Sequence, residues 1–338
     1  MTATEVQVRA PGKINLALRV GPPGPDGYHP LVTVFQAVSL GEDVVARPAD
    51  GISLEIRGRG TDLPTDGTNL AVRAAELLAR TVGVDAGVHL TLTKRVPVAG
   101  GMAGGSADAA ATLLACDQLW GAGLAREELA ELAADLGADV PFALTGATAL
   151  GTGRGDVLSP VLVRGTYHWV LAVQAEGLST PEVFRAFDEQ HGYSAGGRAA
   201  DRGDGGRSVA PAVTPAPAPA PAPAVDDAPA PAVDDALLTT LLSGDPLAVA
   251  RHLVNDLQDA AVDLRPELGD VLAACERAGA LGAVVSGSGP TVAALALDGP
   301  HAESVAGVVR AADVAAEVLT VTGPAPGARV LEHVRGQP

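Results

Sequence analysis

The sequence predicts a two-domain α+β protein, and three observations carry that prediction. The first 160 residues open with alternating apolar and polar runs and then turn helical. A strand, a glycine-rich loop and a helix follow one another between residues 88 and 119. After a sharp break in composition, the second half returns to mixed helices and strands. A length of 338 residues fits two domains. The expected division is 1–160 for the first domain, 161–191 with 236–333 for the second, and 192–235 for an insertion between them.

The elements follow in order. Glu5 to Ala10 alternates as a strand and runs into the turn Ala10-Pro-Gly-Lys-Ile-Asn-Leu16. Lys13 and Asn15 stand two residues apart there, on one side of an extended chain. The next strand ends in the loop Gly21-Pro-Pro-Gly-Pro-Asp-Gly27, followed at once by Tyr28 and His29. Strands are expected at 31–38, 43–47 and 52–57, then a helix at 69–82 capped by Asp66 or Thr68. In Val88 to Val96, His89, Thr91 and Thr93 alternate with Leu90, Leu92 and Lys94. Helices are predicted at 107–119 and 126–136. The second stops at Gly137-Ala-Asp-Val-Pro-Phe142, because Pro141 pushes its predecessor out of helical geometry. Thr148 to Thr152 reads as a strand before a Gly153–Gly155 turn, and 168–174 as another strand. Pro181 begins a helix through Phe187. Residues 192–235 are Gly-rich, then an Ala-Pro repeat that cannot bury apolar surface, and are expected to be disordered. Helices at 236–243, 246–262 and 266–278, a strand–Gly turn–strand at 281–297, a helix at 301–311 and a strand at 315–321 complete the chain.

Composition excludes several function classes. A net charge of −17 opposes a general nucleic-acid or acidic-membrane surface, while leaving room for a small phosphorylated ligand held locally. Cys116 and Cys275 lie in Ala-rich helical runs and read as small buried hydrophobes, with no disulfide or zinc pattern. No signal pattern or membrane-length apolar run is evident, so the expected location is cytoplasmic.

The chemistry centres on residues 97–107, a glycine-rich loop between strand and helix. Gly100, Gly101, Gly104 and Gly105 let the backbone approach a ligand, and the helix N-terminus offers unpaired N–H groups. Together they make an anion site, most plainly for phosphate; the alternative is a flexible loop with Ser106 as a helix cap. The loop lacks the Gly-Lys-Ser/Thr ending of a P-loop and the G-x-G-x-x-G of a dinucleotide fold. Three other features stand in weakly structured places: Lys13 with Asn15, Asp139 among apolar neighbours, and Ser286-Gly-Ser-Gly-Pro290. Each alone has a plain alternative, as a solvated charge, a helix-end residue and a hairpin turn respectively.

In combination these motifs resemble the GHMP kinase superfamily. The match runs, in the family's order, through Ala10-Pro-Gly-Lys-Ile-Asn-Leu16, Pro97 to Ser106 and Ser286 to Pro290, and covers residues 5–190 and 236–322. It implies an N-terminal domain like the second domain of a ribosomal protein and a ferredoxin-like α/β C-terminal domain. Finer matches are Asp26-Gly-Tyr-His29, Gly100 to Ala110 and Leu136 to Phe142. They resemble the branch whose acceptor is a cytidine-diphosphate-linked methylerythritol of non-mevalonate isoprenoid synthesis. The alternatives are a homoserine- or mevalonate-type kinase of the superfamily, or an inactive binding protein on the same fold.

The resemblance implies ATP as phosphoryl donor with Mg²⁺, and a cradle formed by Pro97, Val98, Ala99, Gly100, Gly101, Met102, Ala103, Gly104, Gly105, Ser106 and Ala107. Lys13 and Asp139 would be catalytic, with no protein metal ligand assigned. Asn15, Tyr28, His29, Thr180, Pro181, Phe184, Ser286, Gly287, Ser288 and Gly289 would hold the acceptor, Tyr28 and Phe184 sandwiching the base and His29 reading its edge. Partners would be the small substrate alone, without nucleic acid or membrane, in a monomer or homodimer. Ala99, Ala103 and Ala107 stand where the family more often has Gly, Gly and Ser, which predicts a stiffer loop.

Overall fold

The computed structural model describes residues 3–85, 87–193 and 231–335. The chain begins with β1 (Ala3–Val20), β2 (Leu31–Ala49), β3 (Ile52–Gly58), α1 (Leu70–Val82) and β4 (Gly87–Lys94). Then come α2 (Gly104–Trp120), α3 (Arg126–Leu136), α4 (Val140–Thr145), β5 (Thr148–Thr152) and β6 (Val157–Pro160). β7 (Tyr167–Val173) and α5 (Thr180–His191) precede the tract read as an insertion, of which 194–230 lie outside the described residues. The rest is α6 (Asp235–Ser243), α7 (Pro246–Ala250), β8 (Val254–Asn255), α8 (Gln258–Leu264), α9 (Glu267–Arg277), β9 (Gly282–Val285), β10 (Val292–Ala296), α10 (Gly299–Ala311), β11 (Glu317–Gly323) and β12 (Arg329–Arg335).

Two sheets organise these elements. The first runs β12-β1-β2-β4-β3, with β5, β6 and β8 branching from it. Its apolar face, including Val6, Val8, Val44, Leu90 and Leu92, packs on α1 to α4. α2 lies deepest, because its Ala107, Ala109, Ala110 and Ala111 let the helix approach the sheet closely. The second sheet, in the order β11-β7-β10-β9, is antiparallel and buried on both faces. Val170 and Ala172 face α5, α8, α9 and α10, while Trp169 and Leu171 face β1, β2 and α6. That two-sided burial explains why β7 reads as a continuous apolar run. Trp169 Nε1 donates to Gln36 Oε1 at 2.9 Å, a buried tie between the sheets.

Several expectations needed correction. The α1 cap is Asn69, whose side chain accepts from the Ala71 N–H, rather than Asp66 or Thr68. The expected 246–262 helix is broken by β8, which pairs in parallel with Ala17 and Leu18 of β1. Helical propensity is overruled there by a tertiary contact. The boundary at 333 also fails as drawn: β12 pairs with β1, from Ala3↔Arg335 to Arg9↔Arg329, so the end of the chain completes the first sheet. The insertion's C-terminal edge is ordered too, since Asp234 caps α6 by accepting from the Ala236 N–H.

Candidate active site

Strand period places the first pair of residues. Lys13 and Asn15 point the same way from β1 into a cleft of about 1430 Å³ lined by the first sheet, the glycine loop, α5 and the Gly287–Ser288 turn. Lys13 Nζ donates to Asn15 Oδ1 at 2.8 Å and to the Gly101 carbonyl at 2.9 Å. Asn15 Nδ2 in turn donates to Thr33 Oγ1 at 2.8 Å, which fixes the amide's orientation. Across the cleft, Asp139 Oδ2 lies 3.9 Å from Lys13 Nζ. Burial pushes the Lys13 ammonium below the ordinary lysine range, and the facing carboxylate opposes that shift.

Local chain chemistry explains why Asp139 is available. It occupies the cap position of α4, with Pro141 in the first turn, yet its side chain caps no N–H. The carboxylate is one-third exposed to the cleft instead.

The glycine loop wraps the other end of the cleft. Ala99 (φ 50°), Gly101 (φ 72°) and Ala103 (φ 57°) all take left-handed backbone. The two alanines therefore adopt the geometry that glycine would take more cheaply. At Gly101 no side chain fits, because a Cβ would collide with the Ser286 carbonyl oxygen. Ser106 is not the cap of α2. Ala103 holds that position and offers no side-chain bond, which leaves the first N–H groups of α2 open to an anion. Met102 and Ala107 leave the cradle as side chains, since both are fully buried in the core. Met102 contributes only its carbonyl, accepting from the Lys13 N–H at 3.1 Å. Pro97, Val98, Ala99, Gly100, Gly101, Ala103, Gly104, Gly105 and Ser106 line the cleft.

The Ser286–Gly289 turn closes over this loop. Ser286 Oγ donates to the Gly101 carbonyl at 3.1 Å, and Ser288 Oγ pairs with Thr180 Oγ1 at 2.8 Å. Gly287 and Ser288 line the cleft, whereas Ser286 and Gly289 hold the turn in place from behind. The turn itself hangs on a residue that the sequence reading missed. Asn255 Nδ2 donates to the Val285 and Gly287 carbonyls at 2.8 and 2.7 Å, and its Oδ1 accepts from the Leu257 N–H.

Tyr28, His29, Thr180, Pro181 and Phe184 line the remaining wall. Phe184 packs on His29, ring centroids 5.0 Å apart, while Tyr28 packs on Arg154 instead. The His29 ring edge is already engaged: Nδ1 lies 2.8 Å from the Gly21 carbonyl and Nε2 3.3 Å from Asp188 Oδ1. An edge contact to a base from this ring would displace one of those partners.

A buried ionic cluster beneath the loop was also missed. Lys94 Nζ lies 2.5 Å from Asp108 Oδ2 and 3.1 Å from Glu42 Oε1, and Glu42 Oε2 accepts from the Arg95 N–H at 2.6 Å. Burial works to lower Lys94, but the two carboxylates outweigh it and hold the ammonium above its ordinary range. Burial pushes Asp108 up to about 7 against the pull of Lys94, and pushes Glu42 up as well. The signal was present in the alternation: Lys94 shares the apolar face of β4 with Leu90 and Leu92, and a buried cation needs a partner.

With this geometry in view, the likenesses to known proteins are specific. The GHMP kinases N terminal domain matches residues 69–147 and the GHMP kinases C terminal domain residues 237–315. A 4-diphosphocytidyl-2-C-methyl-D-erythritol kinase of Leifsonia xyli is 52% identical over 96% of this chain and 98% of its own length. One from Streptomyces coelicolor is 49% identical over 97% and 99%. A crystal structure of 4-(cytidine 5'-diphospho)-2C-methyl-D-erythritol kinase superposes with a TM-score of 0.68 at 32% identity, covering 94% of this chain and 99% of that one. An L. major mevalonate kinase, 16% identical with a TM-score of 0.70 over 96% of this chain and 99% of that one, shares the fold. The second sheet's strand order, fourth-first-third-second in chain sequence, is the ferredoxin-like arrangement. The chain belongs to the GHMP kinase family, within its group of 4-diphosphocytidyl-2-C-methyl-D-erythritol kinases.

Proposed function

We propose that this protein transfers the γ-phosphoryl group of ATP to the 2-hydroxyl of 4-diphosphocytidyl-2-C-methyl-D-erythritol, a step of non-mevalonate isoprenoid synthesis. The observation that carries the proposal is the Lys13–Asp139 pair, 3.9 Å apart and facing a glycine cradle across one cleft. Phosphoryl transfer asks mainly for positioning and charge stabilisation, which such an arrangement supplies.

Each wall has its task. The open N–H groups at the start of α2 and the loop backbone take the phosphates of ATP. Asp139 accepts the proton of the acceptor hydroxyl, and its exposure to the cleft leaves room for that hydroxyl. Lys13 holds its ammonium 3.9 Å from the Asp139 carboxylate and lends positive charge to the transferring group. Asn15 holds the Lys13 ammonium in place and offers its amide to the acceptor's polar chain. Tyr28 and Phe184 bind the base, with Thr180, Pro181, Gly287 and Ser288 around the diphosphate.

Among the described residues no group of three His, Cys, Asp or Glu side chains is arranged to hold a metal. Asp139 and the Ser106 hydroxyl are among the oxygens that line the cleft, and they fit Mg²⁺ carried chiefly by phosphate oxygens. Bound there, Mg²⁺ would neutralise phosphate charge. The net charge of −17 opposes a nucleic-acid partner, and the enzyme is placed in the cytoplasm as a monomer or homodimer as part of the same proposal. No described helix is long and apolar enough to cross a membrane.

The test is ATP turnover with the cytidine-diphosphate acceptor, mevalonate and homoserine in parallel. Turnover is expected with the first alone; turnover with either of the others instead would overturn the assignment.

A further inference from the structure

Arg154 is a residue that neither the motifs nor the catalytic geometry accounts for. It sits on the cleft rim in the turn between β5 and β6, with its backbone N–H held by Asp156 Oδ1 at 3.1 Å. That turn is pinned to β2, since the Leu31 N–H donates to the Gly153 carbonyl at 2.7 Å. The Arg154 guanidinium carbon lies 3.7 Å from the Tyr28 ring centroid, which is van der Waals contact with the ring face. One arm of the same guanidinium reaches Asp26 Oδ2 at 3.0 Å. Asp26 closes the circuit by accepting the Tyr28 N–H on Oδ1 at 3.0 Å.

The plain alternative is an ordinary surface ion pair, which contributes little by itself. Three facts set this one apart. Ion pair, stacking contact and backbone bond converge on one residue, Tyr28. They join a Gly/Pro-rich loop to a strand-anchored turn 128 residues away in sequence. The ring they fix is 56% exposed at the mouth of the cleft, with the Arg154 guanidinium over one face. An exposed aromatic ring on a rigid mount is a stacking platform.

We infer that Arg154 is a positioning residue for recognition of a pyrimidine nucleoside diphosphate: it backs one face of Tyr28 so that the other meets the base, and it neutralises Asp26 where an anionic diphosphate must pass. The inference rests on the reading of Tyr28 as a base-binding residue. It adds a residue that acts only through Tyr28 and Asp26 and takes no part in phosphoryl transfer. The Tyr28 N–H, then Arg154, hold Asp26 below the ordinary carboxylate range, as expected of a carboxylate kept ionised and paired.

The experiment measures cytidine diphosphate binding by calorimetric titration and steady-state kinetics with the cytidine-diphosphate acceptor, on the full chain. Arg154→Ala should raise the Kd and the acceptor KM about fivefold, the scale of a partly exposed cation–aromatic contact, with kcat and the KM for ATP unchanged. Arg154→Lys should recover most of the loss. The Tyr28→Ala, Arg154→Ala double variant should lose less than the sum of the two single losses, because the stacking part of the Arg154 effect runs through that ring and only the neutralisation of Asp26 remains. Unchanged Kd in Arg154→Ala, fully additive losses in the double variant, or a fall in kcat with a rise in the ATP KM would each overturn the inference. The two readings fail separately. An active enzyme whose cytidine diphosphate affinity ignores Arg154 sinks this inference alone. A chain that binds cytidine diphosphate through Arg154 but never turns over its linked acceptor sinks the functional reading alone.

Discussion

Lys13 and Lys94 are both buried lysines on the first sheet, each with under a tenth of its side chain exposed, and their surroundings are opposite. Lys94 has two carboxylates in direct contact, at 2.5 and 3.1 Å. Lys13 has two neutral oxygens in contact and one carboxylate held off at 3.9 Å. The first ammonium is therefore held above its ordinary range and the second falls below it. An over-paired cation is a structural tie with no charge left for a ligand. An under-paired one, facing a cleft, keeps a field that incoming phosphate can use. The two sites share a residue type and a degree of burial, and the count and distance of carboxylates separates scaffold from chemistry.

The largest expected effect lies on the Lys13 side. Asp139→Asn keeps the shape and removes the base. Turnover should fall by about 10²- to 10⁴-fold, the span of general-base contributions, with the KM for ATP little changed. Because Asp139 caps no helix N–H and is one-third exposed, the denaturation midpoint should barely move. A near-normal rate would remove Asp139 as the base and leave the Lys13 setting without a catalytic explanation.

The Lys94 side should respond in stability instead. Lys94→Met leaves Glu42 and Asp108 buried without their cation, and breaking such a pair costs about 3–5 kcal/mol. Urea unfolding would read this directly. Lys13→Met should cost less stability, since it strands only neutral acceptors and a carboxylate with access to water, while abolishing most turnover. Equal destabilisation by the two substitutions would show that the contrast in pairing has no energetic consequence.

How much of this was legible in the sequence follows from the same contrast. Asp139 and the glycine loop are marked by helix-end and loop settings written within a few residues, whereas Lys13 lies inside the continuous strand β1 rather than in the turn expected for residues 10–16. The strands at 148–152 and the helix at 126–136 were equally local, and their bounds matched the structure. The Lys94 cluster needed Glu42 from 52 residues away, and the Tyr28 mount needed Arg154 from 128 away. The pairing of β12 with β1 joins the two ends of the chain, which no local pattern encodes. Ala103 bears on the one alternative offered for the loop: it takes the left-handed backbone that glycine adopts more cheaply and holds the cap position of α2, which the alternative reading gave to Ser106. Only the apolar face shared by Leu90, Leu92 and Lys94 could have exposed the missing ionic cluster in advance.

The smallest effect should be a pH slope traceable to Asp108. Among the described residues its buried Oδ1 has no hydrogen-bond partner, and burial raises the carboxyl from 3.8 to about 7 although Lys94 touches the other oxygen. Between those two values the folded protein retains a proton that the unfolded chain has lost. The native state then binds more protons, so this group makes stability fall as pH rises through the window and adds no slope above about 7. Asp108→Asn removes the titration while keeping an oxygen for Lys94. The stability of Asp108→Asn minus that of the parent should therefore grow from pH 5 to pH 7, by no more than about 1.4 kcal/mol per pH unit, and then level off. Glu42, also pushed up by burial, remains in both proteins and its slope largely cancels in the difference. Urea midpoints across that range decide the matter. A difference that stays flat, or shrinks as pH rises, would mean that Lys94 keeps Asp108 ionised throughout, and that the cluster carries its full complement of charge beneath the phosphate loop.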